Sequence, residues 1–252
     1  MYLHSLIADL PSAERASLVQ CCTLRFYKRN ETVVTMDEWT DQIYCVANGL
    51  LRVVTPGHGS GAEVTTDFIR QDDFFLGPSF NEDRYQTVQT LVAALPSSVY
   101  LVPISAIRRL CETYPAVTLG LLGFAMKRLT MIRGQLRRIS ALSSEDLISR
   151  VLHQLTQLAP TSTGGYDKRI TQTVIASYTG LSREVVNKTM RDLEERGLVR
   201  RDAHGLHVPA EFASTDFASS LPLSDMHLDL RRGDGVPSAR ARPMLEHSPQ
   251  LP

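Results

Sequence analysis

Arg183, Glu184, Asn187, Lys188 and Arg191 fall within nine residues of one another, just after Gly180 and ahead of Gly197. Read as a helix, the same stretch places Val185, Val186, Thr189, Met190 and Leu193 at helical spacing on the opposite face, where they should meet a core. Long polar side chains near the start of a helix are what the major groove of duplex DNA accommodates. A solvated helix of mixed charge is the alternative. From Lys168 to Arg201 there are eight Lys/Arg against four Asp/Glu, and this local excess lies on a helix–turn–helix pattern, which favours nucleic acid.

The elements that must hold these side chains can be read outward from them. Thr171 is placed to cap a first helix whose apolar face is Val174, Ile175 and Tyr178. Gly180 suits the tight turn, Ser182 suits the cap of the second helix, and Leu181 stands just outside it as a staple. Gly197 ends that helix. Leu198–Arg201 and Leu206–Val208 then read as two short strands around Asp202–Gly205, a wing that carries His204 and His207. Upstream, Ser143 and Asp146 form a capping-box pattern for a helix with Leu147, Ile148, Val151, Leu152 and Leu155 inward. Pro160 ends it, and a polar loop follows at Thr161–Asp167.

A long helix is expected after Pro115. Leu122, Ala125, Leu129, Ile132, Leu136 and Ile139 step alternately by three and four, the spacing of a heptad seam. Leu119, Leu121, Phe124 and Met126 add a second apolar surface. One face would pack on the rest of the chain and the other on a second copy; an ordinary core helix is the alternative. A homodimer pairs two recognition helices with two half-sites about one DNA turn apart.

Residues 5–20 suggest a helical lead-in with Pro11 near a helix start. Then come short runs rich in β-branched and aromatic residues: Leu24–Tyr27, Thr32–Thr35, Gln42–Val46, Leu50–Thr55, Glu63–Ile69, Val88–Ala93 and Ser98–Val102, with turns at Asn48-Gly49 and Pro56–Gly61. Such spacing points to a small sandwich or jelly roll rather than a mixed α/β domain. The 252 residues, 43% hydrophobic and with zero formal net charge, suit one or two globular domains. No run of 18 apolar residues and no basic leader is seen, so no membrane partner and a cytoplasmic location are expected. Cys21, Cys22, Cys45 and Cys111 lack paired metal spacing, and neither a hydrolase, metalloprotease, Walker nor dinucleotide motif occurs. The expectation is therefore a protein that is not an enzyme and has no metal site. Residues 214–252, rich in Ser, Pro, Gly and charge, are expected to form a free tail, with Phe212, Phe217, Leu221 and Leu223 available for local docking and Arg231, Arg232, Arg240 and Arg242 for weak phosphate contact.

Taken in order, these segments resemble the cyclic-AMP receptor/fumarate–nitrate reductase regulator (CRP/FNR) family of bacterial transcription factors. The likeness rests on Tyr44–Val53, on the heptad helix, and above all on Gly180-Leu181-Ser182-Arg183-Glu184-Val185-Val186 with Leu193-Glu194. The resemblance implies an α+β protein: an N-terminal β-roll of the cyclic-nucleotide-binding type at 1–114, a dimerisation helix at 115–142, and a winged helix-turn-helix at 143–211, with 212–252 as a flexible tail. It implies that Arg183 pairs with guanine and Glu184 with the cytosine amino group, roles that also fit groove chemistry. Lys188 takes a third base or backbone position, beside Asn187. Thr171, Thr173 and Ser182 become phosphate contacts, and the implied half-site is related to TGTGA. RNA polymerase is an implied partner, with Thr161–Asp167 as the contact by family position.

The family's phosphate cassette is altered here. Phe74–Phe80 keeps Gly77 and Ser79 but lacks the glutamate, and Gln86 precedes Thr87 where an arginine is expected, leaving Arg84 two positions away. This argues against cyclic AMP as effector. Ile132 and Arg133 occupy the place of the hydroxyl residues that reach the nucleotide base. Arg133, with Lys127, Arg128, Arg137 and Arg138, offers a basic face to a dianion such as cyclic di-GMP, or simply a solvated one. Iron–sulfur members use a spaced N-terminal cysteine set, which adjacent Cys21 and Cys22 do not provide. His4, His58 and His153 carry no haem motif. Two further readings stand beside effector control: a ligand-independent regulator with a degenerate sensor, and a scaffold or protein-interaction module without specific DNA binding.

Overall fold

A computed structural model describes residues 4–57 and 63–213. The turn expected at Pro56–Gly61 lies largely outside the described residues, as does His58, and the expected tail lies beyond them except for Phe212 and Ala213. A 3₁₀ turn at Ser5–Ile7 and helix α1 (Ser12–Cys21), started by Pro11, lead in. Strands follow as β1 (Thr23–Tyr27), β2 (Thr32–Val34), β3 (Trp39–Thr40), β4 (Gln42–Asn48), β5 (Leu50–Pro56), β6 (Glu63–Arg70), β7 (Phe74–Phe75), β8 (Tyr85–Gln86), β9 (Thr90–Ala93) and β10 (Ser97–Pro103). Then come α2 (Ile104–Thr113), α3 (Pro115–Ala141), α4 (Ser144–Leu158), β11 (Tyr166–Asp167), α5 (Gln172–Thr179), α6 (Arg183–Glu195), β12 (Arg200–Arg201), β13 (Gly205–His207) and a last 3₁₀ turn at Ala210–Phe212. The class is α+β, as the sequence suggested.

Two four-stranded sheets, ordered β1-β10-β4-β7 and β2-β9-β5-β6, make the roll, with β3-β8 as a small flap. Alternation sets the faces. Tyr44, Val46, Val99 and Leu101 of the first sheet meet Leu51, Val53, Ile69 and Leu91 of the second in one apolar interior. The outer face of the first sheet, through Cys45, Phe74 and Val102, is covered by α1, α2 and the start of α3. Gly49 turns β4 into β5 at φ +95, and a Cβ there would lie 2.4 Å from Ser97 Oγ and 2.5 Å from the Pro96 carbonyl. Ser97 Oγ is itself fixed, accepting from Leu50 N at 3.1 Å and donating to Leu95 O at 2.8 Å.

The two-residue strands β3, β7, β8 and β11 are absent from the sequence expectation, because two residues are too few for alternation to register. Helix α2 is also unanticipated, although Ile104, Ile107 and Leu110 are at helical spacing and fully buried. The polar loop expected at Thr161–Asp167 is instead a tight turn closed by Thr161 N–H to Gly165 O at 2.8 Å, running into β11, where Tyr166 is fully buried.

Helix α3 carries three different faces. Val117 and Leu121 are buried and Phe124 packs on Phe74 and His4, centroids 5.9 Å apart in each case. Leu122, Leu129, Ile132, Leu136 and Ile139 are 56%, 40%, 47%, 66% and 41% exposed, and Ala125 is exposed with them. The expected seam thus has no cover among the described residues. The third face corrects the idea of a continuous basic surface. Arg128 turns inward to an ion pair with Asp67, and Arg138 is buried, donating to Gln135 Oε1 at 3.2 Å; Arg133 remains exposed. By length and composition α3 is apolar enough to cross a bilayer, its most apolar 18-residue stretch having a mean hydropathy of 1.2. Its apolar side chains lie in stripes with cations between, which is the pattern of a helix packed on protein.

Replacing Gly49 with alanine should destabilise the fold by at least about 1–3 kcal/mol, since it adds a strained backbone and a clash with a main-chain carbonyl. Urea unfolding checks this; an unchanged midpoint would contradict the account.

Candidate nucleic-acid interface

Helices α5 and α6 are built by local rules. Thr171 Oγ1 accepts from Val174 N at 3.4 Å and Ser182 Oγ from Val185 N at 3.2 Å, so each helix begins on a side-chain cap. Gly180 lies between them at φ +72, a left-handed cap that a β-carbon would strain. At the far end, Gly197 N–H returns to Glu194 O and Leu198 N–H to Leu193 O, the double closure of a Schellman motif. Val186, Met190 and Leu193 are buried against α4 and α5. Val185 is not: it is 38% exposed, one step round the helix from the core stripe, and Thr189 is half-buried.

Arg183, Glu184, Lys188 and Arg191 are exposed on one side of α6, and Thr171, Thr173 and Ser182 are exposed near its start and on α5. Asn187 departs from expectation. It is half-buried, and its Oδ1 is enclosed without a hydrogen-bond partner in the described structure. The first turn of α6 contains Glu184, whose charge suits the helix N-terminus.

The wing pairs Arg200 with His207 and Arg201 with Leu206, and β13 also pairs with β11. Asp202 holds its tip: the carboxylate accepts from His204 N–H at 2.7 Å and Gly205 N–H at 2.9 Å, and meets His207 Nε2 at 2.5 Å. His207 is therefore half-buried and structural, whereas His204 is exposed. Lys168 Nζ donates to Ala203 O at 2.6 Å, tying the wing to the segment before α5. Arg201 is spent on Glu194 at 2.9 Å and Arg169 on Asp167 at 2.6 Å.

The two wing amides, more than any other contact, hold the Asp202 carboxyl well below the usual range, with His207 adding to them. A depressed folded value means the stabilisation is present above about pH 4 and is lost as pH falls through that depressed value.

The sensor-side candidates do not gather into one polar cradle. Tyr85 is buried with its ring over Gly77, where a Cβ would meet the ring at 2.5 Å, and its hydroxyl donates to Gln42 O at 2.8 Å. Thr87 is buried and its hydroxyl donates to Thr35 O and Glu38 O. Gln86 donates to Asp37 O at 3.0 Å, Ser79 accepts from Asn81 N at 3.2 Å, and Arg84 is exposed. Burial, and for Cys22 also the neighbouring Cys21, pushes the Cys22 and Cys45 thiols up to about 12. Among the described residues no group of three His, Cys, Asp or Glu side chains is placed to hold a metal ion.

One constellation was not anticipated. The core around α4, α5 and α6 does not stop at the C-terminal helices but includes Leu50, Phe68, Ala94 and Leu95 of the roll. Tyr178, expected only as part of an apolar face, stacks edge-on against Phe68 with centroids 4.8 Å apart. Nothing in the local spacing of either residue announces the pairing.

Comparison with known proteins follows the same division. Residues 24–114 match the model of a cyclic nucleotide-binding domain and residues 136–211 that of a Crp-like helix-turn-helix domain. The chain is 24% identical over 189 residues to the cAMP-activated global transcriptional regulator CRP of Pasteurella multocida, covering 73% of this chain and 88% of that one. Among solved structures it is similar to FixK2 from Bradyrhizobium japonicum (TM-score 0.66, 18% identity, 74% and 92% of the two chains). It is also similar to the c-di-GMP responsive global regulator CLP of Xanthomonas campestris (TM-score 0.63, 17% identity, 79% and 99%).

Substituting Asp202 by alanine should speed hydrogen exchange at the His204 and Gly205 amides severalfold at neutral pH while leaving α4 protected. Unchanged exchange at those two amides would remove the carboxylate from its assigned role.

Proposed function

Because the chain belongs to the CRP/FNR family of transcription factors, we propose that it reads a palindromic DNA site as a homodimer, with residues 1–114 as the sensor or brace, 115–142 as the dimer helix and 143–211 as the reader. The observation that carries this reading is the exposed polar start of α6, seated on a buried apolar face. Arg183 donates two hydrogen bonds to guanine O6 and N7, and Glu184 accepts from a cytosine amino group. Lys188 serves a third base or the backbone, without the planar fork an arginine would offer. Asn187 sits deeper and reaches a base edge only after turning its amide outward. Thr171, Thr173 and Ser182 fix register through phosphates, and a half-site related to TGTGA follows. Leu122, Ala125, Leu129, Ile132, Leu136 and Ile139 close the dimer. RNA polymerase is the further partner, contacted through the turn at 161–167.

Effector control has two readings. The neutral, internally bonded cassette supports a roll that braces without cyclic AMP: Tyr85 lies over Gly77, and Gln86 and Thr87 are committed to backbone carbonyls. The similarity to a regulator described as responsive to c-di-GMP supports a dianion instead, with exposed Arg133 as the cation on offer. Calorimetric titration with cyclic AMP, cyclic GMP and cyclic di-GMP separates them: saturable binding of any one rules out the ligand-free regulator.

In a salt-controlled shift assay, Arg183→Ala should weaken binding by about 1–3 kcal/mol and relax discrimination at one guanine. Equal affinity for matched and mismatched sites, before and after the change, would refute the role and favour a scaffold. Placing glutamates at Leu129 and Leu136 should yield a folded monomer by sedimentation; a persistent dimer would remove the seam from the interface.

A further inference from the structure

We infer that Tyr178, with the β6 side chains against it, is a positioning residue that sets the angle at which the helix-turn-helix is carried and hence the half-site spacing the protein accepts. The inference rests on the DNA-reading function proposed above. Three elements from different parts of the chain meet at this residue. Its ring packs on Phe68 of β6, its backbone carbonyl accepts from Gln135 Nε2 of α3 at 3.3 Å, and its hydroxyl accepts from Gln154 Nε2 of α4 at 3.1 Å. The neighbouring Ser177 Oγ lies 2.6 Å from Thr65 Oγ1 of β6. One step along β6, Asp67 pairs with Arg128 of α3, which also donates to Phe68 O at 3.2 Å, so the strand is pinned to the dimer helix at the same point.

The consequence is mechanical. Between α3 and α4 the chain has only Leu142 and Ser143, both in extended backbone, and such a joint does not by itself fix an angle. The contacts on Tyr178 do. Helix α6 follows α5 through the short turn Gly180–Ser182 and shares its core, so a rotation of α5 carries the reading face with it. In a two-fold dimer any such rotation is applied twice, once to each half-site, and changes their separation. Loosening the joint should therefore blunt the choice of spacing and leave base reading at each half-site intact.

The test uses the full chain, palindromes related to TGTGA with spacers differing by single base pairs, and a duplex with one half-site. Tyr178→Leu and the double variant Thr65→Val/Ser177→Ala remove the ring and the hydroxyl contact respectively, and Tyr178→Phe keeps the ring. Expected is a fall of at least threefold in the affinity ratio between the preferred spacer and one a base pair longer, for both loosened variants. Tyr178→Phe loses only the bond to Gln154, which lies within the C-terminal helices, and keeps the ring on Phe68 and the carbonyl bond to Gln135, so it should keep the parent's spacer ratio. Matched-over-scrambled discrimination on the single half-site should be unchanged in all. A spacer ratio unaltered in both loosened variants overturns the inference, as does a ratio that falls only in step with half-site discrimination. Should the parent protein itself fail to prefer matched over scrambled half-sites, the DNA-reading premise fails first, and that failure is visible before any variant is made.

Discussion

An apolar stripe left in water along one side of α3 is the constraint on which the other features depend. Large side chains at positions 122, 129, 132, 136 and 139 stay about half-exposed and, with exposed Ala125 between the first two, recur at alternating intervals of three and four residues. Apolar surface removed from water is worth about 25 cal/mol per Å², so a stripe of this length favours association with a matching surface. Heptad spacing of this kind suits pairing with a second copy about a two-fold axis, and under the proposed function that symmetry would convert one recognition helix into a palindrome reader. In the proposed function a single copy, with only Arg183 and Glu184 of one α6 at the bases, would read too few base pairs to discriminate one site from the many others in a genome.

The same helix also ties the two ends of the chain together. From Arg128 onward its inward side is polar where an ordinary core helix would be apolar. Arg128 meets Asp67, whose carboxyl is pushed above its ordinary range by burial and held back by that guanidinium, and Gln135 with Arg138 lies under α5. Removing one partner of a buried ion pair leaves the other desolvated and uncompensated, so such pairs resist rearrangement. Together with a core that runs from Leu50 and Phe68 into the C-terminal helices, they make the roll a structural support for the DNA reader. The roll serves as that support whether or not it binds a ligand.

Much of this was legible in the sequence, and what was legible was local. The caps at Ser143, Thr171 and Ser182 and the turn at Gly180 encode their structure within a few residues and form at those positions, and the seam spacing appears as an exposed apolar stripe. The misses are tertiary. Val185 fits the helical stripe as well as Val186 does, but only packing decides which of two adjacent valines is covered. Arg128 looks like a surface cation until β6 supplies Asp67, and Arg138 until Gln135 of its own helix meets it. Asn187 reads as an outward polar residue, yet its neighbours enclose it. Strands of two residues, such as β7 and β8, carry no periodicity, although β8 is where Tyr85 closes over Gly77.

The most direct measurement is the stoichiometry of the DNA complex. Analytical ultracentrifugation of the full chain with a TGTGA-type palindrome and with a duplex holding one half-site, at the same ionic strength, weighs both the seam and the reading face at once. The account predicts two chains on the palindrome, bound markedly more tightly than on the single half-site. One chain per duplex, or equal affinity for the two, would contradict it.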